Sequence, residues 1–443
     1  MKKLFAILCL TAICCSFAGC GETAADSQEK AGNLTIIDKG QLNCSSDEGY
    51  YYIGQDKQMM YMDYKTKKEV YLCNRPGCKH DTESCPAVFS DEELAIGSSL
   101  FYYNGYLYLF SHEPDQSGAS SVNYMGDGSS ESDQDSSFNS KPAALYRMKP
   151  DGTEREKVFT FDEGLSVEDQ VLADENALYF ITKKVSTENV DNHTTYYASS
   201  ERAMIRVDVE SWKESTICKL EEDINIIGCI DNKLVIEQLV FDHKLSQKDM
   251  LNDDKYIEAY KQSHSSFVTL DINSGKTDEF LKLSNKKINT YAVGGNSLYF
   301  ATEGDDKIKS IDVKTKKENT LAETENNCID EIYDDALCCS SWESDNGVKT
   351  DSSMYFVSLD DGQIKKSNLH ILSLGWGIEI KAELKDQFLI VYDYDAKEDT
   401  MFGNEQYEIR GKKYGLINRE SLYSGKNDYK TIKLTSSGLG MAE

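Results

Sequence analysis

One pair of motifs recurs seven times along the chain, always in the same order, and this limits the fold more than any other feature of the sequence. The first motif is a turn followed by a Tyr- and Leu-rich strand, as in Asn104-Gly105-Tyr106-Leu107-Tyr108 and Gly295-Asn296-Ser297-Leu298-Tyr299-Phe300. Its other copies begin at Glu48, Glu175, Asp231, Asp334 and Asp386. The second motif is an alternating strand that ends in an Asp- or Asn-centred tight turn. It is centred on Asp63, Lys149-Pro150-Asp151-Gly152, Asp208, Asp271, Asp312, Asp360 and Asn418. Such turns form because side-chain oxygens accept from nearby backbone amides while Gly or Asn tolerates positive φ.

Two hairpin turns per repeat imply four strands per repeat. Radially arranged four-stranded sheets make a β-propeller, an all-β fold. Seven copies predict a seven-bladed β-propeller, with six or eight as the neighbouring counts. The repeat averages about 59 residues, longer than the usual propeller period of about 40–45, so insertions are expected. No single blade can bury both of its faces, so the blades form one ring and not seven domains. The predicted organisation is a signal at 1–19, a lipidated residue and tether at 20–33, the propeller at 34–435 and a tail at 436–443.

Composition supports this. The 443 residues carry 27 tyrosines and only five prolines, which favours strands. A net charge of −28, from 48 basic and 76 acidic side chains, excludes a nucleic-acid surface.

The N-terminus reads as an address. Met1-Lys2-Lys3 is basic, Leu4–Ser16 is apolar but too short to span a bilayer, and Phe17-Ala18-Gly19-Cys20 follows. Small residues before a cysteine resemble the lipobox of bacterial lipoproteins. The resemblance implies cleavage before Cys20 and diacylation of its sulfur, giving a lipid-anchored protein on the extracytoplasmic face of the cell membrane. An ordinary secretory signal is the alternative. Removal of Lys2 and Lys3 takes the net charge to −30 and leaves nine cysteines besides Cys20.

If the strands of each blade are lettered A to D from the axis outward, the A–B and C–D turns are short and share a face. The insertions at 111–142, 184–201, 238–264, 342–351 and 395–406 fall in B–C and share the other face, which is where repeat proteins bind. In the 111–142, 342–351 and 395–406 loops thirteen acidic side chains stand against Lys141, Lys349 and Lys397. Glu343, Asp345, Asp395 and Asp399 are therefore candidates for a binding face toward cationic partners or divalent ions. Solubility alone would also account for them. Residues Met250, Leu251, Tyr256, Ile257 and Tyr260 suggest a short docked helix within 238–264.

One segment carries coordination chemistry. Cys73-Asn74-Arg75-Pro76-Gly77-Cys78-Lys79-His80-Asp81-Thr82-Glu83-Ser84-Cys85 reads Cys-x4-Cys-x-His-x4-Cys in the D–A connection leaving the first blade. Cys73, Cys78, His80 and Cys85 make a donor set suited to a closed structural zinc shell. A disulfide that leaves one thiol over is the competing reading. The lipobox, this motif with its flanking Tyr71-Leu72 and Pro86-Ala87, and the blade hairpins together resemble β-propeller lipoproteins of anaerobic Gram-positive bacteria. The resemblance implies a surface lipoprotein with a propeller fold and brings no activity with it.

Cys338-Cys339 lies on a strand where neighbours point to opposite faces, so the two are not expected to pair. Cys218, Cys229 and Cys328 are expected in the core. His112, His193, His243 and His264 are expected in solvent, and His370 near a strand. No Gly-x-Ser-x-Gly elbow or His-Glu-x-x-His helix is present. Gly275-Lys276-Thr277 lacks the preceding glycine of a phosphate loop. The sequence thus favours a membrane-tethered binding or scaffold module whose ligand is an extracellular protein, peptide or glycan. The alternative is an extracellular glycan-active hydrolase or lyase with its site at the channel mouth.

Overall fold

The computed structural model describes residues 32–113, 120–122, 141–189, 194–221, 224–243, 245, 249, 253–283, 288–302, 304–324, 328–345, 348–374, 377–401 and 404–441. Within these, side chains are described outside 120–122, 185–189, 194–200, 289, 341–345, 348–353, 398–401 and 404–406.

Seven antiparallel sheets follow one another along the chain as the blades of a seven-bladed propeller. Blade 1 spans Asn43–Tyr71, blade 2 Ser99–Thr160, blade 3 Leu165–Lys219, blade 4 Ile224–Leu283, blade 5 Ile288–Glu323, blade 6 Cys328–Ser367 and blade 7 Glu379–Thr431. Blade 5 shows the unit with little added. Its strands are Ile288–Gly294, Ser297–Thr302, Lys307–Asp312 and Glu318–Glu323. Six of the seven expected Asp-centred turns lie where the repeat put them; in blade 7 a short helix, Arg419–Tyr423, follows Asn418 and the last strand begins only at Lys430. Every blade takes its four strands from one contiguous stretch of chain.

The core confirms the ring. The apolar clusters lie between blades, because each sheet has two faces to bury. Leu107 and Met148 of blade 2 join Ile53 and Met59 of blade 1. Phe101 and Phe110 meet Phe180 and Val207 of blade 3. Tyr179 and Met204 meet Leu234 and Leu270 of blade 4. Phe267 meets Phe300 and Ile311 of blade 5, and Ile308 meets Leu337 and Val357 of blade 6. The last cluster contains Phe356 of blade 6, Phe388 and Leu416 of blade 7, and Tyr50 and Met62 of blade 1, so it closes the circle. Cys338 faces blade 7 and Cys339 faces blade 5, as strand alternation requires. Near the axis the wedges are tight: a Cβ on Gly228 would lie 2.5 Å from the Cβ of Val293 in the next blade.

Tyrosines of the core are buried by their rings and satisfied at their tips, as two of them show. The Tyr179 hydroxyl donates to Asp174 Oδ2 at 2.7 Å and that of Tyr414 to the Gly438 carbonyl at 2.9 Å. This suits a fold in which broad side chains must fill the space between sheets while one end reaches a polar rim.

The chain ends of the ring are handled unlike the blades. A strand not foreseen in the repeat, Thr35–Lys39, pairs antiparallel with the innermost strand of blade 3, with Thr35 opposite Ala173 and Lys39 opposite Gln170. We refer to it as the axial strand. Residues 432–441, which include most of the expected tail, cross from blade 7 to blade 1. The Thr435 and Ser436 amides each donate to the buried Glu69 carboxylate at 2.7 Å, and the Tyr52 hydroxyl donates to it at 2.5 Å. Met441 N then donates to the Ile53 carbonyl at 2.7 Å. The ring is therefore closed by a lateral latch and not by a blade shared between the two ends.

Candidate functional site: a thiol cap, an occupied bore and a hairpin face

The thiol cluster lies beyond strand Lys68–Tyr71 of blade 1, on the face of the B–C connections. Cys78 N donates to the Arg75 carbonyl at 3.3 Å, so Pro76 and Gly77 form the centre of a β-turn. Gly77 has φ +72°, which a side chain at the third position of such a turn resists. The turn folds Cys78 back toward Cys73. His80 itself adopts φ +57°, an uncommon conformation for a non-glycine residue. Its ring stacks on Tyr71 with centroids 4.4 Å apart, and Nδ1 lies 3.3 Å from Cys85 Sγ. The donor atoms of Cys73, Cys78, His80 and Cys85 all lie within 4.8 Å of one another.

This geometry fits a tetrahedral cation. With metal–sulfur bonds of about 2.3 Å, ligand atoms in a tetrahedron stand about 3.8 Å apart. All nine described cysteines are free thiols. The Cys3His cluster can thus hold a metal ion, and a filled shell would leave no position for a reacting water. The Cys78 thiol is drawn below its ordinary value by the His80 backbone amide, whereas burial pushes Cys85 up to about 11. A cation would offset that burial cost by stabilising the thiolate. The loop is fixed to the ring on both sides. Gln58 donates to the His80 carbonyl at 2.6 Å, and Arg155 donates to the carbonyls of Pro86 at 3.1 Å and Val88 at 3.0 Å.

The bore is occupied by the protein's own chain. The axial strand touches the innermost strands of blades 2, 3 and 4, and Lys39 reaches Glu331 of blade 6 at 3.3 Å. Leu100 N donates to the Gln41 carbonyl at 2.7 Å, and Ile53 N donates to that of Leu42 at 3.0 Å. Asp38 is buried here. Burial raises its pKa to about 6, against the lowering effect of hydrogen bonds from Ser99 and the Gly40 and Gln41 amides. Two carboxylates along the bore, Asp38 and Glu331, thus have close partners. Glu331 faces Lys39, and Asp169 lies 3.6 Å from His112 Nε2. His112 was expected in solvent but is buried, stacked 4.3 Å from Phe110. It directly follows Ser111, the last residue of strand Tyr106–Ser111, so the strand carries it inward. His243 is exposed as expected, His264 is half-buried, and His193 lies outside the described residues.

The insertions are a second correction. Three of the five expected loops are long β-hairpins. Strand pairing in blade 3 runs out to Asn189 opposite Thr195, in blade 6 to Asp345 opposite Val348, and in blade 7 to Met401 opposite Asn404. Residues Ser120–Val122 of the 111–142 insertion pair with Thr194–Tyr196 on the edge of the blade 3 hairpin. Glu343 and Asp345 lie on strand Ala336–Asp345, and Asp395 and Asp399 on strand Gln387–Met401. Asp395 is exposed; the side chains of the other three are outside the described ones. Asp393 is buried and tied to Lys413 at 2.7 Å, so it is structural.

The 238–264 insertion contains the expected helix, α1 (Asp253–Gln262). Ala259 is its buried contact, while Ile257 and Tyr260 remain partly exposed. Met250 and Leu251 lie outside the described residues. Cys44, Cys218, Cys229 and Cys328 are half-buried at the margins of the core and not within it. A cavity of about 380 Å³ beside α1 is lined by Asn225, Glu237, Tyr260 and Ser265. No helix among the described residues is long and apolar enough to cross a membrane. Cys20 and the signal lie outside the described residues.

No protein-family model and no curated protein matches the chain. Among solved structures, the chain is similar to puromycin hydrolase at 9% identity and a TM-score of 0.47. The match covers 92% of this chain and 54% of that one, so this chain spans about half its length. The β-propeller domain of the Trilobed protease from Pyrococcus furiosus matches at 11% identity and TM-score 0.42, over 90% of this chain and 98% of that one. Oligogalacturonate lyase from Vibrio parahaemolyticus matches at 13% identity and TM-score 0.39, over 66% and 73%. The seven-bladed assignment rests on the sheets themselves.

Proposed function

We propose that this protein is a lipid-anchored, extracytoplasmic binding or scaffold module that offers its hairpin face to a protein, peptide or glycan outside the cell. The observation that carries the reading is the division of labour within the ring. The bore is taken up by the axial strand, and Asp38 and Glu331 along it are held by Ser99 and Lys39. The structural variety is concentrated in the hairpins of blades 3, 6 and 7. Loop-borne variety on a rigid repeat scaffold is the usual arrangement of a recognition surface. The acidic bias of the inserted sequences favours a partner with a cationic surface.

In this reading Cys73, Cys78, His80 and Cys85 hold a structural zinc ion that cross-links the cap. Metal analysis and thiol titration of the full chain in detergent test this. Bound zinc and three thiol equivalents released by denaturation with chelator, counting only Cys73, Cys78 and Cys85, support it. A metal-free protein with a Cys73–Cys78 disulfide contradicts it. The binding role is tested by cross-linking in intact cells with identification of the partners. Loss of adducts on shortening the blade 7 hairpin at 397–406 supports it. Turnover of an extracellular glycan by the purified chain would instead favour the hydrolase or lyase reading.

A further inference from the structure

We infer that the ring stands on the membrane by its A–B and C–D turn face, so that the hairpins and the thiol cap point away from the lipid. This deepens the proposed function and rests on its reading of Cys20 as the anchor. The argument begins with the direction in which the chain enters the bore. Gly32 N donates to Asp174 Oδ2 at 2.9 Å, and Leu34 N donates to the Asp231 carbonyl at 2.7 Å. Asp174 and Asp231 sit in the A–B turns of blades 3 and 4. The chain then runs down the axis and emerges at Gln41–Leu42, beside Ile53 and Leu100, on the hairpin side. Residues before Gly32 therefore leave the ring at the centre of the turn face.

The reach of the preceding segment decides the orientation. Gly32 lies twelve residue steps after Cys20, and fully extended these span at most roughly 42 Å. For the hairpin face to lie on the membrane, that segment would have to cross from the axis to the rim and then descend the height of the ring. Four strands spaced about 4.8 Å apart make the first leg roughly 19 Å. In that orientation the hairpins would meet the membrane first, so the second leg is the length of strand Ala177–Asn189, roughly 40 Å at about 3.3 Å per residue. A path of roughly 60 Å exceeds the tether, whereas the turn face lies within its reach with no detour.

Two exposed positions on one blade make the test. Asp56 lies in the B–C turn of blade 1 and Lys65 in its C–D turn, at opposite ends of the same strand. The full acylated chain, carrying a fluorescent amino acid in place of Lys65 or of Asp56, is reconstituted in phosphatidylcholine–phosphatidylglycerol vesicles that contain an acceptor lipid. Severalfold stronger energy transfer from position 65 is expected. Equal or stronger transfer from position 56 overturns the orientation. Labelled palmitate incorporation into the wild type, with Cys20→Ala as control, separates the two failures. An acylated chain with transfer favouring position 56 refutes the orientation alone. A chain that takes up no palmitate refutes the anchor and the orientation with it.

Discussion

In blade 3 strand Thr194–Asp208 reverses into its outer neighbour over the few residues from Asp208 to Lys213, while at the other end it and its inner neighbour run on to Thr194 and Asn189. The turn end is built by one repeated device. Asp151, Asp208, Asp271 and Asp312 accept from the amides of Thr153, Ser211, Ser274 and Thr315 at 3.0, 2.8, 3.0 and 2.7 Å. The hairpin end repeats nothing: each blade differs in length, and only some carry an extension. The difference indicates that the turn end carries the ring's local stability and the hairpin end is free to vary.

The aspartates show the contrast in their titration. Hydrogen bonds from Thr153, Ser211 and Thr315 lower the pKa values of Asp151, Asp208 and Asp312. Their stabilisation is present above the unfolded value of 3.8 and is lost as pH falls through the lower folded values. Asp38 in the bore has the opposite sign. Its folded pKa is raised to about 6, so the residue costs stability as pH rises from 3.8 to about 6.

The comparison can be broken at several points. The largest expected effect is at the latch. Glu69→Ala strands the Thr435 and Ser436 amides and the Tyr52 hydroxyl in a buried site, and should cost about 3–5 kcal/mol in denaturant unfolding. A loss under about 1 kcal/mol would mean that the ring closes without the latch. Next, Asp38→Asn should stabilise the protein at neutral pH by up to about 3 kcal/mol and have no effect near pH 4, as read from melting midpoints across pH. A pH-independent effect would remove the assigned role of burial. Asp208→Ala should cost about 1 kcal/mol at neutral pH, and less as the pH drops below about 4. Smallest of all, replacing 397–406 by a two-residue turn should change stability by less than about 0.5 kcal/mol. A cooperative loss of several kcal/mol there would show that the hairpin end supports the ring.

The parts of this molecule that were legible in its sequence are those governed by local chemistry. The Asp-centred turns, from Asp63 to Asp360, announce themselves because the residue that makes the turn sits in it, whereas Asn418 opens a short helix, Arg419–Tyr423. The Cys73–Cys85 segment is legible for the same reason, since all four donors lie within one short loop. The axial strand was not, because Thr35–Lys39 has no hairpin partner nearby and pairs with residues 170–173. The blade 3, 6 and 7 extensions read as loops because sequences such as Ser186-Thr187-Glu188-Asn189 lack an apolar face, and register without such a face leaves no pattern. The latch from Thr435 to Glu69 joins the two ends of the chain and is set by ring closure alone.

The most direct measurement compares the two faces in the living cell. A photo-cross-linking amino acid placed at Asp395 on the blade 7 hairpin, or at Lys65 on the turn face, reports what each surface touches. Discrete protein or glycan adducts from position 395, with lipid as the main product at 65, are the predicted result. Lipid adducts at 395 together with a discrete macromolecular adduct at 65 would contradict the assignment of the hairpins as the binding surface.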